Sequence, residues 1–161
     1  MDHSPVHYRF SNIPGTISLR GGEDRFLNVA SRILRDWRIE RVEKTVHAPP
    51  LITLRHTPRG FLRNSRWLAR ERGYRHTVDA CCDFIVDLLH AYLLDKPDLL
   101  SLHCGGVVFP QGLVLFPNTY RSGKSTLAIK LASMGLRIFS DDVIPYSRSE
   151  RKGIALGILP R

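Results

Sequence analysis

The chain has 161 residues, 43% hydrophobic and 24% charged, proportions of an ordinary globular protein that exclude long disorder and low-complexity or collagen-like repeats. No apolar run approaches the ~18 residues of a membrane span, and Met1 to Pro5 shows no basic start followed by an apolar stretch, so no secretory leader is expected and the cytoplasm is the expected compartment. Twenty-four basic residues against fifteen acidic ones give a net charge of +9, which raises nucleic acid as a partner, but the excess forms no single basic stripe and no aromatic-interleaved basic motif accompanies it, so nucleic acid is not the expected partner.

Residues 6–10 and 16–20 read as short strands about the turn Ile13-Pro14-Gly15. Phe26, Val29, Ala30, Ile33, Leu34 and Trp37 recur at helical spacing and predict an amphipathic helix over 24–38. Strands are expected over 41–47 and 51–56, on either side of Pro49-Pro50, and short strands about Phe61 and Trp67 in the Arg-rich stretch 58–74. A second helix is predicted over 77–94, with Val78, Cys81, Ile85, Leu88, Leu89 and Tyr92 on one face. Asp79, Asp83 and Asp87 share another face, which reads as solvated. Cys81, Cys82 and Cys104 make an odd count with no leader, which suggests reduced thiols. Lys96-Pro97-Asp98 marks the best boundary, dividing a small α/β lobe (1–98) from a second region (99–161).

That region reads as strand (102–109), strand (112–116), loop, helix (124–134, capped by Gly135), strand (136–139), then short strands over 143–146 and 154–158. Its strongest signal is Asn118-Thr119-Tyr120-Arg121-Ser122-Gly123-Lys124-Ser125-Thr126, which follows an apolar strand and opens a helix, the context of a P-loop. Helix-start amides and the helix dipole favour an anion there. Gly123 lets the backbone close on phosphate oxygens, Lys124 supplies a cation for the β and γ phosphates, and the Ser125 hydroxyl can complete the shell of Mg²⁺. Asn118 stands where the pattern has Gly, and Asn tolerates positive φ best among the other residues. Arg121 replaces a second glycine and either clamps phosphate or stiffens the loop. Asp141 and Asp142 end the next strand, where one can accept a proton from an acceptor hydroxyl and the other help to hold Mg²⁺. His103, on the first strand of the region, could tune such a carboxylate.

Leu102-His103 on a strand, Gly-Lys-Ser after the next strand, and then Ser140-Asp141-Asp142 resemble the catalytic core of the HPr kinase/phosphorylase family. His103 lies 21 residues before Lys124 and Asp141 17 after it, and the likeness spans about residues 100–146. The resemblance implies an α/β fold: a P-loop core with a mixed sheet, like that of PEP carboxykinase, carrying the P-loop helix and the 77–94 helix behind the N-terminal lobe. It implies nucleotide binding by residues 118–126, with Lys124 on the β/γ phosphates, Mg²⁺ on Ser125 and Asp142, and Asp141 as general base with His103 as its partner. The implied reaction is phosphoryl transfer from ATP to a serine-type hydroxyl of a protein, peptide or small molecule. Homo-oligomers occur in the family, whose chains continue beyond the counterpart of Arg161 with an acidic residue and a basic loop, so an incomplete core is expected here. The first hundred residues do not resemble the family's N-terminal domain. The alternative reading is a nucleotide-binding sensor that transfers nothing, favoured by Asn118 and Arg121.

Overall fold

Alternating apolar residues near the N-terminus build a six-stranded sheet in a computed structural model that describes residues 4–43, 48–117 and 123–158, without the side chains of Pro117 and Lys124. The elements of this first unit are β1 (Val6–Phe10), β2 (Ile17–Arg20), α1 (Glu23–Ile33), β3 (Ile39–Val42), β4 (Ile52–Thr57), β5 (Gly60–Ser65), β6 (Arg72–Tyr74) and α2 (Thr77–Leu93). The strand order is β3-β1-β2-β4-β5-β6, and only the β2–β4 pair is parallel. Registers Ile17↔Ile52 and Leu19↔Leu54 place four buried aliphatic side chains on one face, because successive strand residues point to opposite sides. Phe26 and Ala30 of α1 and Ala80, Cys81, Phe84 and Leu88 of α2 are also fully buried. Phe84 meets Phe26 and Phe10 edge-on, with ring centroids 5.1 and 5.5 Å apart, the arrangement that the ring quadrupoles favour.

Chain contacts divide the protein into residues 1–94 and 95–161. The second unit contains β7 (Leu99–Phe109), β8 (Gly112–Pro117), α3 (Lys124–Ser133), β9 (Arg137–Ser140), β10 (Val143–Ser147) and β11 (Lys152–Gly153). β7 is its spine. β8 pairs along Cys104–Phe109 on one side; on the other, β10 pairs with Leu99–His103 and β9 with Gly106–Val108. β8–α3–β9 is thus a crossover between two strands that run the same way on either side of β7, and α3 packs on β7 and β9.

The chain is α/β, with two sheets and three helices among the described residues. Several expectations need correction. α2, expected on the sheet of the P-loop region, belongs to the first unit, where it packs on α1, β5 and β6, because its apolar stripe completes the Phe10–Phe26–Phe84 cluster. Every neighbouring strand pair described in the second unit is antiparallel; short turns join β7 to β8 and β10 to β11, and such turns produce antiparallel neighbours, while β9 and β10 follow one another in line along β7. α1 ends at Ile33, yet Leu34 and Trp37 remain buried in the turn that follows. Residues 154–157 form no strand: past β11 the Ile154 amide still donates to the Pro145 carbonyl of β10 at 2.8 Å, and Ile158 forms a single bridge, but no continuous ladder follows. The acidic face of α2 is not uniformly solvated: Asp87 is 3% exposed and pairs with Arg63 at 2.6 Å. Among the described residues no helix is long and apolar enough to cross a membrane.

Candidate functional site

The second unit brings three titratable residues, His103, Asp141 and Asp142, to one stretch of β7. His103 lies opposite Val143 of β10, and Gly106 lies opposite Ser140 of β9. Between these registers the chain turns a corner at Asp141 and Asp142, which must therefore lie beside the segment from His103 to Gly106. Ser140 pins this corner: its hydroxyl donates to the Val143 carbonyl at 2.9 Å and accepts from the Asp142 amide at 3.4 Å. A serine at a strand end often folds back on its own backbone in this way.

His103 Nε2 lies 3.6 Å from Asp142 Oδ1. The imidazole side chain is 61% exposed and the carboxylate side chain 29%, so solvent reaches the pair and it contributes little to stability. Asp141 is 8% exposed. The partner expected for His103 was Asp141, and the structure places the next residue against it. Adjacent residues of an extended corner point to opposite sides, so one of the two acids faces the imidazole while the other turns inward.

On the far side of β7, Pro117 at the end of β8 lies opposite Cys104. The strand leading into the Gly-Lys-Ser motif thus ends one residue from His103 in register. Asn118, Thr119, Tyr120, Arg121 and Ser122 lie outside the described residues, and the structure places only the motif's second half. Gly123 is the N-cap of α3, with φ 84° and ψ 16° and no side-chain cap. Its carbonyl accepts the first helical hydrogen bond from Leu127 at 2.8 Å. The amides of Lys124, Ser125 and Thr126 belong to the opening turn, which has no intrahelical acceptors, and no acidic residue occupies it. Ser125 and Thr126 are exposed.

These oxygens suit a hard cation that takes one or two protein ligands and completes its shell with phosphate and water, as Mg²⁺ does: the Ser125 hydroxyl and one of the two carboxylates, Asp141 or Asp142, could hold it. Among the described residues no three His, Cys, Asp or Glu side chains converge as an all-protein metal site. Sequence reasoning assigned no part to Ser140 as the brace of the corner, although a serine directly before two acids at a strand end is a visible turn signal.

No family model, curated protein or solved structure matches the chain.

Proposed function

We propose that the second unit is a kinase core of the HPr kinase type, using ATP and Mg²⁺ to phosphorylate a serine-type hydroxyl of a protein, peptide or small molecule. The observation that carries this reading is the His103–Asp142 pair, held on β7 beside the strand that feeds the Gly-Lys-Ser helix. Phosphoryl transfer asks the protein chiefly for positioning and charge stabilisation. In this reading the opening amides of α3 and Lys124 bind the β and γ phosphates, and residues 118–122 complete the cradle. Ser125 and one carboxylate of the corner hold Mg²⁺, which neutralises charge on those phosphates.

The other carboxylate accepts the proton of the acceptor hydroxyl. The burial of Asp141 and the partial exposure of Asp142 favour Asp142 as the group that an incoming hydroxyl reaches, with His103 orienting it. Asp141 then takes the supporting part, the reverse of what the family resemblance implies.

Thermal shift with Mg·ATP and radiolabelled transfer from γ-labelled ATP to a serine-peptide library test this reading. The wild-type chain is expected to melt higher with Mg·ATP, and Lys124→Ala to lose that shift. Asp142→Asn is expected to keep the shift and lose transfer by about 10²-fold or more, with Asp141→Asn less affected. A melting temperature unmoved by Mg·ATP would overturn the reading. A shift without any transfer selects the sensor alternative, which the Asn118 and Arg121 departures from the P-loop pattern favour.

A further inference from the structure

Residues 55–75 contain seven arginines and one acidic residue, Glu71. Arg63 is paired with Asp87, Arg55 with Glu71, and Arg72 with Asp83. Arg70 and Arg75 are exposed, and among the described residues neither has an ion-pair partner. They flank β6, the last strand of the six-stranded sheet, whose outer edge no described strand covers. A groove of about 570 Å³ lies at this strand, lined by residues 68–74, Arg70, Glu71 and Arg72 among them, and by Asp83. Both of its acids are already engaged: Glu71 lies 3.6 Å from the Arg55 guanidinium, and Asp83 Oδ2 accepts from the Tyr74 hydroxyl at 2.7 Å and lies 3.6 and 3.7 Å from the Arg63 and Arg72 guanidinium groups. With these pairs made, the positive charges left over are Arg70 in the groove and Arg75 at the other end of β6, next to unpaired strand backbone.

We propose that the edge of β6 and this groove dock an extended acidic peptide segment, which joins the sheet as a seventh strand. Strand addition takes affinity from main-chain hydrogen bonds and selectivity from alternate side chains. Acidic side chains on the incoming strand meet Arg70, Arg72 and Arg75, and the remaining side chains meet Leu68. A nucleic-acid backbone cannot continue a β-ladder, and the ring that lines the groove, Tyr74, is half-buried, tied to Asp83 through its hydroxyl and 5.7 Å from the Arg63 guanidinium. Trp67 already lies against His90, with centroids 5.6 Å apart, and 5.9 Å from the Arg66 guanidinium, so the stacking that single strands need is not provided. This inference is independent of the phosphoryl-transfer reading.

Fluorescence anisotropy on the whole chain tests it, with a labelled decapeptide alternating Glu and Val as the probe. Comparison probes are a Lys/Val decapeptide, the Glu/Val peptide with alternate amides N-methylated, and oligo-dT. The Glu/Val peptide is expected to bind and to weaken with salt, and the Lys/Val and N-methylated peptides are expected not to bind. Arg70→Glu and Arg75→Glu, checked for unchanged melting temperature, are each expected to weaken binding about tenfold, and Lys124→Ala to leave it unchanged. Absence of Glu/Val binding overturns the proposal. Equal binding of the N-methylated peptide, or displacement by oligo-dT at lower concentration, also overturns it, because either result would mean that charge alone drives the contact.

Discussion

Arg63 is 3% exposed and donates to the Asp87 carboxylate and to the Asp83 carbonyl. A buried pair of this kind costs desolvation on both sides, so losing one partner is far worse than replacing both. Arg63→Met is therefore expected to cost about 3–5 kcal/mol in urea unfolding, and Arg63→Met with Asp87→Leu to recover most of that loss. Burial pushes the Asp87 carboxyl above its ordinary value, against the opposing pull of Arg63. A raised folded value means that the folded state binds the proton more tightly. Asp87 thus favours folding most below the ordinary carboxylate value, and its contribution falls as pH rises through the raised one. Asp98 has the opposite sign. Hydrogen bonds from Ser147 and Ser149 at 2.6 to 3.1 Å hold its carboxyl below the ordinary value, with the Ser147 bond the largest cause. Its contribution is complete above the ordinary value and disappears as pH falls through the lowered one. Thermal melts of wild type and Asp98→Asn are expected to differ at neutral pH and converge in acid, below about pH 4. None of this was legible from the 79, 83, 87 spacing, which defines a helix face without saying which way the face points. Asp87 found its counter-charge 24 residues away on another element.

The β7–β8 hairpin depends on a glycine for a reason of space. A Cβ on Gly105 would lie 2.0 Å from the Phe116 ring, its direct partner across the ladder. Gly105→Ala is expected to destabilise the second unit by about 1–3 kcal/mol through overpacking. Adding Phe116→Leu is expected to return part of this loss, and a double-mutant cycle in urea measures the coupling. Gly123 is needed for a different reason: nothing lies within 4 Å of its missing Cβ, but its φ of +84° is a conformation that L side chains rarely adopt. Gly123→Ala is expected to cost about 1 kcal/mol and, where the phosphate reading holds, to weaken the Mg·ATP shift. Most element types were legible in the sequence. Helix periods identified α1, α2 and α3, and apolar runs between turn residues identified β1, β2, β4, β7 and β8, because these signals are local. The failures were at ends and in short edges, such as 154–158, where neighbouring strands decide how far pairing continues.

The two units differ in how completely their apolar residues are buried. The first has a cluster of phenylalanines, leucines and isoleucines at or near zero exposure. Among described residues of the second, the buried apolar side chains are Cys104, Val107, Ala128, Ile144 and Pro145, while Leu127, Ile129 and Met134 of and beside α3 are 44%, 69% and 66% exposed. Local opening free energy follows such burial, so hydrogen exchange is expected to be slowest in β4, β5 and α2 and markedly faster in α3. The sequence alone was enough to identify the α/β class, the P-loop-like helix start, and His103, Asp141 and Asp142 as the groups to watch, because residue type and spacing along the chain carry that information. Only the tertiary structure decided that α2 belongs to the first sheet, that Asp87 is buried on Arg63, and that His103 meets Asp142 instead of Asp141. Those outcomes depend on strand register and on which apolar face finds a partner, and both are set by contacts between segments that are distant along the chain.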